Sequence, residues 1–455
     1  MAEQEQGKEI NISSVLELSE PEFAAYLALD WADQKHVYAL QAAGSQKCEM
    51  GKLENRPEAV ELWAAALGRR FQNRPIAVCL EQSRGALVYM LIKYAQFVLY
   101  PLHPAAVGRF RAAFYPSGAK DDPLDAALQL EILVKHRNHL RRLEPDTVET
   151  RLLQFLTEER RNLVDERTAH SNRLRSKLKW YFPQVLHWFS ELDSALVGDL
   201  LERWPTLEQL QRARPETLRQ FFHQHNCRKE ELIQQRLEEI GKAIPATRDQ
   251  AVIDSCVLVV QAECALLAAL RPSIAKMEER IGKVVAGHPD LPIFDALPGA
   301  GQALVPRLIA AMGTRRERFG SASDVQNCVG ISPVTKRSGN EGVVQFRRAC
   351  PKFVRQTFHE WAGHSIVSST WAREHYERQI AKGKEHHAAV RSLAFKWIRV
   401  LYACWRDRVP YDEERYCKRL AERRPAHTPA QPATPPVDFV WESLAGFLKF
   451  SRATS

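Results

Sequence analysis

The first part of the chain alternates short apolar runs with longer amphipathic stretches. Period-two and continuous apolar patterns predict five strands, at residues 25–30, 36–42, 48–53, 75–81 and 97–100. Helical spacing of apolar side chains predicts helices between them, at residues 57–70 and 85–94. Strands and helices that alternate at these lengths predict an α/β sheet covered by helices on both faces.

From about residue 148 the pattern is helical alone. Leucines recur at helical spacing among many charged residues, as in a long exposed helix or a coiled-coil arm. Another long helix is predicted over residues 247–285, with a kink at Pro272. We expect this block to be a helical insertion that contributes a dimerisation arm.

A third pattern begins near Leu291. The glycine turn Leu297–Gly301, followed by Leu304 and Leu308, is typical of a helix–hairpin–helix segment. In such a segment, backbone N–H groups at Gly299 and Gly301 would bind a phosphate. An ordinary connection between helices explains the same residues equally well.

We divide the chain into five segments on these patterns. They are an N-terminal extension (1–22), an α/β catalytic domain (23–143), a helical coiled-coil region (144–290), a mostly helical C-terminal domain (291–418), and a proline-rich linker with a terminal helix (419–455). A length of 455 residues agrees with two or three separate cores.

Composition narrows the class of protein and its compartment. A formal net charge of +9 suits an anionic partner such as nucleic acid. Nine cysteines without a Cys-x-x-Cys pair argue against secretion and against a structural zinc site. No apolar signal segment is recognisable, and the most apolar stretch, Val257–Leu270, is interrupted by Gln261 and Glu263. We therefore expect a cytoplasmic protein without a membrane partner.

Four acidic residues follow predicted strands or begin a predicted helix. Asp30 and Glu81 end two apolar runs, and Asp122 and Asp125 flank Pro123, which favours a helix start. Converging carboxylates suit Mg²⁺ or Mn²⁺, and two such ions about 4 Å apart can clamp a phosphodiester. In an α/β domain this predicts an RNase H-like or RuvC-like nuclease. Taken alone, this stretch is better explained as an N-cap followed by an acidic first turn, which the helix dipole favours.

Ser338 lies in a basic turn, among Lys336, Arg337, Arg347 and Arg348. Its hydroxyl could attack a phosphate as a covalent nucleophile, and the neighbouring cations would stabilise the developing charge. The alternative is a surface hydroxyl that only contacts phosphate, and composition alone favours that reading.

The ordered motifs resemble the DEDD transposases of bacterial insertion sequences, also called bridge-RNA-guided recombinases. The resemblance rests on Leu27–Asp30, Val78–Glu81 and Lys120–Ala126, and continues through the glycine turn, Val329–Pro333 and Arg337-Ser338-Gly339. It covers residues 24–140 and 291–416. The helical middle is longer than in compact members, and the proline-rich tail lies outside the shared pattern.

This resemblance implies a fold and a set of roles. It implies a RuvC-like domain whose acids Asp30, Glu81, Asp122 and Asp125 bind two Mg²⁺ or Mn²⁺ ions. It also implies a transposase domain whose Ser338 links covalently to DNA in a composite site with the acids. A non-coding bridge RNA would pair with donor and target DNA, and the protein would act as a dimer or tetramer.

Further residues are assigned to nucleic-acid binding: Lys120, Gly299, Gly301, Lys336, Arg337, Arg347 and Arg348. We thus expect a DNA transposase or recombinase working by metal-assisted phosphoryl transfer. The alternatives are a metal-dependent junction resolvase that uses water, and a basic, non-catalytic scaffold for RNA or DNA.

Overall fold

The computed structural model describes residues 22–115, 121–338 and 341–422, with Ser338 and Glu341 described by their backbone only. Three expected features lie outside the described residues: the N-terminal extension apart from its last residue, Lys120, and the C-terminal segment apart from residues 419–422, which belong to the last helix of the fold. The chain forms two compact units, Met1–Pro145 and Asp146–Ser455. The finer division of the second unit into a helical and a C-terminal domain stays a prediction.

Unit 1 contains a five-stranded mixed sheet with the order β3-β2-β1-β4-β5. Its strands are β1 (Ala25–Asp30), β2 (Lys35–Ala42), β3 (Cys48–Glu54), β4 (Ile76–Leu80) and β5 (Phe97–Pro101). β2 is antiparallel to both of its neighbours, whereas β4 is parallel to β1 and to β5. The structure contains all five predicted strands, and no end differs from its predicted position by more than one residue.

Helices cover both faces of this sheet. They are α1 (Pro57–Arg70), α2 (Ala86–Leu91), α3 (Pro104–Phe114) and α4 (Asp122–His136). α2 is shorter than predicted. Alternating positions of the strands face opposite layers: Leu27 and Val78 pack with α1 and α2, whereas Ala28 and Cys79 pack with α3 and α4.

The first half of unit 2 is helical. Its helices are α5 (Val148–Tyr181), α6 (Gln184–Trp188), α7 (Ala195–Arg203), α8 (Leu207–Arg212), α9 (Pro215–Gln224), α10 (Glu230–Lys242) and α11 (Gln250–Ala286). α5 and α11 pack along each other and form what we call the arm. Pro272 lies inside α11, which continues past it.

By length and composition alone, α11 is apolar enough to cross a membrane, contrary to the expectation from the sequence. Gln261 and Glu263 do not break its apolar character. Glu263 is 7% exposed and its carboxylate lies 2.6 Å from Nδ1 of His170 on α5. A buried carboxylate held by a partner helix is typical of a helix pair in a globular protein. The apolar composition of α11 is therefore only weak evidence that it spans a membrane.

The second half of unit 2 packs around a further core, to which Leu153 of α5 and Ile281 of α11 also contribute. It contains α12 (Leu291–Asp295), α13 (Gly301–Met312), α14 (Ala322–Cys328), α15 (Lys352–Ser368), α16 (Thr370–Ala381), α17 (His386–Asp407) and α18 (Glu413–Glu422). Trp361, Trp397 and Trp405 are fully buried there.

A two-stranded antiparallel ribbon interrupts these helices. It consists of β6 (Val334–Ser338) and β7 (Glu341–Gln345), and its register pairs Lys336 with Val343. The sequence predicted a basic turn here and missed the strands. The apolar and β-branched residues on either side of Gly339-Asn340 were the signal that could have revealed a hairpin.

Candidate acidic site and basic ribbon

Two strands and one helix bring the predicted carboxylates of unit 1 to one side of the sheet. Asp30 is the last residue of β1, and Glu81 directly follows β4. Successive strand positions point to opposite faces, so Asp30 lies on the same face of the sheet as Ala28, and Glu81 on the same face as Cys79. This is the face that packs against α4. Asp122 and Asp125 lie in the first turn of that helix.

Asp121 is the N-cap residue of α4, and its side chain makes no capping hydrogen bond. Asp122 therefore occupies the first helical position and Pro123 the second, where a missing N–H costs nothing. Asp125 is 3% exposed, whereas Asp122 is exposed. The cap reading therefore does not explain why Asp125 is buried.

The four carboxylates interact electrostatically. Burial and, to a lesser extent, the charges of Asp125, Glu81 and Asp122 together raise the pKa of Asp30 from 3.8 to about 6. A hydrogen bond from Nε2 of Gln129 to Oδ1 of Asp30, 3.2 Å long, acts in the opposite direction. The acids are thus near enough to repel one another.

Asp125 already has one cationic neighbour. Nη2 of Arg111, on α3, lies 2.5 Å from Oδ1 of Asp125. The contact lacks hydrogen-bond geometry, and Oδ1 of Asp125 has no hydrogen-bond partner among the described residues. Oε1 of Gln129 is likewise buried and unpartnered among them. Sequence reasoning missed both Arg111 and Gln129.

The donor set fits a hard divalent cation by its chemistry, since it consists of carboxylate and amide oxygens. Among the described residues, no three His, Cys, Asp or Glu side chains are arranged to hold a metal ion. Asp125, paired with Arg111, is the carboxylate that differs most from a free ligand.

The ribbon carries Lys336 and Arg337, two of the residues predicted to contact phosphate, and the predicted nucleophile Ser338. Ser338 is the last residue of β6. Lys336 and Val343 lie on one face of the ribbon, and Arg337 and Gly342 on the other, because successive strand positions alternate. Position 338 belongs to the row of Lys336.

Arg347 holds the base of the ribbon. Its Nε donates to the backbone oxygen of Ser332 at 3.1 Å, and its Nη2 donates to Oδ1 of Asn327 at 3.0 Å. These bonds show that Arg347 positions the base of the ribbon, independently of any contact with phosphate. Arg348, next along the chain, is exposed.

The glycine turn before α13 has a packing explanation. Gly299 has φ +74°, and a Cβ there would lie 2.6 Å from backbone atoms of His364 and Ser365. Trp361 donates through its indole N–H to the oxygen of Pro298 at 3.1 Å. Gly301, with φ +52°, begins α13 and has open space around it. Packing against α15 therefore suffices to require Gly299.

Two family models match separate parts of the chain. Residues 27–183 match the DEDD transposase model of IS110 elements, described as a transposase. Residues 292–377 match the transposase IS116/IS110/IS902 family. The first range contains all four carboxylates, and the second contains the glycine turn and the ribbon.

Curated relatives are similar over most of their length. The protein assigned as mini-circle transposase for IS117 in Streptomyces coelicolor is 26% identical over 408 residues, 87% of this chain and 97% of that protein. The uncharacterized 43.6 kDa protein of insertion element IS110, from the same organism, is 27% identical over 384 residues, 83% and 92% respectively. The uncharacterized 42 kDa protein of IS900 in Mycobacterium paratuberculosis is 25% identical over 333 residues, 71% and 80% respectively.

The carboxylates of unit 1, the basic ribbon and these matches define a transposase, an enzyme that processes DNA. More particularly, the chain belongs to the IS110 family of DEDD transposases. That family implies a RuvC-like fold for the matched domain, and the mixed sheet of unit 1 is consistent with it.

Proposed function

We propose that this transposase cuts and rejoins DNA by phosphoryl transfer, with Ser338 as the covalent nucleophile and the carboxylates of unit 1 as metal ligands. The observation that carries the proposal is the mutual repulsion of four carboxylates on the α4 side of the sheet, inside the DEDD match. A bound cation would relieve that repulsion.

Asp30, Glu81, Asp122 and Asp125 would hold one or two Mg²⁺ or Mn²⁺ ions. Such ions, when bound, polarise a phosphodiester and stabilise the charge that develops on its oxygens. Gln129 holds Asp30 in place through its 3.2 Å hydrogen bond. Arg111 neutralises the buried Asp125 until a stronger cation takes that role.

The proposed covalent step is a transesterification. The Ser338 hydroxyl gives up its proton and forms a bond to the scissile phosphorus, while the bond from phosphorus to a sugar oxygen breaks and that oxygen takes up a proton. Rejoining reverses the step with another strand, so no external energy source is required. The support is the basic ribbon that ends in Ser338, within the second transposase match.

Several cations would hold the phosphate backbone. Lys336 shares the row of position 338, so it would act nearest the scissile phosphate, whereas Arg337 and Arg348 would contact flanking phosphates. Arg347 would act mainly by fixing the ribbon. Lys120 and the N-terminus of α13 at Gly301 are proposed as more distant backbone contacts.

The serine assignment is tested by trapping the adduct. With labelled DNA substrate and Mg²⁺, the wild-type protein should retain label under denaturing electrophoresis, and Ser338→Ala should not. Ser332→Ala is the matched control, since Ser332 is a nearby serine whose hydroxyl donates, within the described part of the chain, only to the oxygen of Pro333. An adduct that persists in Ser338→Ala contradicts the assignment.

The same assay distinguishes two other functions. If the protein is a metal-dependent junction resolvase that uses water, the Ser338→Ala variant would still cut DNA and the Asp122→Asn variant would not. A non-catalytic scaffold would show no dependence of strand cleavage on divalent metal. Either result replaces the proposed chemistry while leaving the family unchanged.

We also propose that a non-coding RNA guides this protein to its DNA and that the protein works in the cytoplasm. The net charge of +9 supports nucleic-acid binding in general. Sequencing of RNA that co-purifies with the protein from its host should return one structured species encoded beside the gene. Recovery of only bulk cellular RNA would contradict RNA guidance.

Self-association through the arm is the proposed basis of a dimer or tetramer. Apolar side chains on and near α11 are exposed in the single chain: Leu258 is 69% exposed, Leu266 46% and Trp180 59%. Leu258→Glu should lower the mass measured by light scattering to that of a monomer. Leu62→Glu, at a 73% exposed leucine of α1, is the control and should not. An unchanged mass in Leu258→Glu contradicts the arm interface.

A further inference from the structure

An exposed phenylalanine lies beside two arginines at the base of the ribbon. Phe346 directly follows β7 and is 46% exposed. The guanidinium carbon of Arg355, on α15, lies 4.6 Å from the centre of its ring, and that of Arg391, on α17, lies 5.2 Å away. We call Phe346, Arg355 and Arg391 the Phe346 platform.

The platform is rigid on the protein side. Nη1 of Arg355 donates to the backbone oxygen of Arg347 at 3.0 Å and to Sγ of Cys350 at 3.3 Å. Its guanidinium plane is therefore fixed beside the ring by the chain that follows β7. A planar surface fixed before binding loses little entropy when a ligand stacks on it.

The surroundings of the platform are cationic. Arg348 is exposed nearby in the chain, and none of Arg348, Arg355 and Arg391 forms an ion pair with a carboxylate among the described residues. An anionic partner is favoured by this charge, and a ring with guanidinium groups is a surface on which nucleobases stack. Bases inside a duplex are already stacked, so the partner that fits is an unpaired nucleotide.

We propose that the Phe346 platform binds an unpaired nucleotide of the nucleic acid handled by this transposase. The base stacks on the ring or on the guanidinium plane beside it, and Arg391 contacts the adjoining phosphate. Phe346 is five residues along the ribbon from Glu341, the partner of Ser338, or about 17 Å away. The platform therefore holds a strand at a distance from the proposed nucleophile. The proposal rests on the proposed function only in taking nucleic acid as the substrate.

The test measures binding without cleavage. The full chain carrying Ser338→Ala is titrated, by fluorescence anisotropy, into a labelled twelve-nucleotide oligothymidylate and into a labelled DNA hairpin without unpaired ends. Adding Phe346→Ala should weaken single-strand binding roughly tenfold, which is within the range of one lost base–aromatic stack. Hairpin binding should change less than twofold.

Three variants separate stacking from folding. Phe346→Trp should restore single-strand binding, whereas Phe346→Leu keeps an apolar side chain and should not. Phe114→Ala is the control, because Phe114 is also an exposed ring, 64% exposed, but lies on α3 of unit 1. It should bind both probes as before.

Equal weakening on both probes would show that Phe346 acts through the fold or the phosphates, and would overturn the proposal. So would full binding by Phe346→Leu, or an absence of single-strand binding in the chain that retains Phe346. None of these results bears on Ser338, which the adduct assay tests separately.

Discussion

Replacing Asp30 by Asn should stabilise the metal-free protein while removing a proposed metal ligand. The pKa of Asp30 is raised from 3.8 to about 6 because the residue is partly buried beside Asp125, Glu81 and Asp122. Protonated Asp30 therefore contributes stability that is fully present below pH 3.8 and is lost as the pH rises through about 6. At pH 8 the folded state carries the whole penalty.

The size of the gain follows from the shift. A rise of roughly two pKa units corresponds to about 3 kcal/mol at 1.36 kcal/mol per unit. Because Asp30 is partly exposed, solvent screening reduces this to about 1–2 kcal/mol. For a unit of this size that is about 3–6 °C in melting temperature. Asn retains an oxygen that can accept the hydrogen bond from Gln129.

The assay is thermal unfolding in chelator at pH 8 and at pH 4. Asp30→Asn should melt above wild type at pH 8, and the difference should nearly vanish at pH 4. Asp33→Asn, which replaces an exposed acid three residues further along the chain, is the control and should melt like wild type at both pH values. With Mg²⁺ at pH 8, wild type should gain stability and the variant little. A variant that melts lower at pH 8, or a gain independent of pH, refutes the electrostatic reasoning.

Two further substitutions test contacts that the sequence did not reveal. Arg111→Gln leaves Asp125 buried without a cation, so it should lower the free energy of unfolding by about 3 kcal/mol in chelator and by less with Mn²⁺. Arg109→Gln, at an exposed arginine of the same helix, is the control and should be neutral. Melting experiments that show an equal loss of stability with and without Mn²⁺ would contradict this. Gly299→Ala places a Cβ against the α15 backbone at positive φ, so denaturant unfolding should show a loss of stability of about 2–4 kcal/mol. Gly363→Ala, whose new Cβ has open space, is the control and should be neutral or stabilising. Equal effects of the two substitutions would show that packing does not require Gly299.

Much of unit 1 was predictable because its strands have a clear period of two. The same alternation that separates Leu27 from Ala28 places Asp30 on the α4 side of the sheet, and it places Glu81 there from Cys79. Pro123 fixes the start of α4 and thus the position of Asp125. The meeting of the four acids could therefore be inferred before any coordinates were known.

Other features depend on contacts that no local pattern encodes. Arg111 and Asp125 lie on different helices, and nothing in the spacing of 14 residues indicates an ion pair. Gly299 was read as a phosphate-binding glycine because its neighbours resemble such a turn, whereas the approach of α15 supplies a packing reason. The ribbon was missed because two short strands give a weak signal between long helices.

The acidic site destabilises the fold, and this loss of stability is itself an argument that the site has a function. Oδ1 of Asp125 and Oε1 of Gln129 are buried and lack hydrogen-bond partners among the described residues. The unpaired oxygen of Gln129 costs about 1–3 kcal/mol relative to a satisfied one, whereas the ion pair with Arg111 offsets part of that cost for Asp125. Apolar side chains at these two positions would extend the core that Ala126, Leu130 and Leu133 form on the same helix. A sequence that served stability alone would place them there, so we infer that the unsatisfied oxygens of α4 serve a ligand rather than the fold.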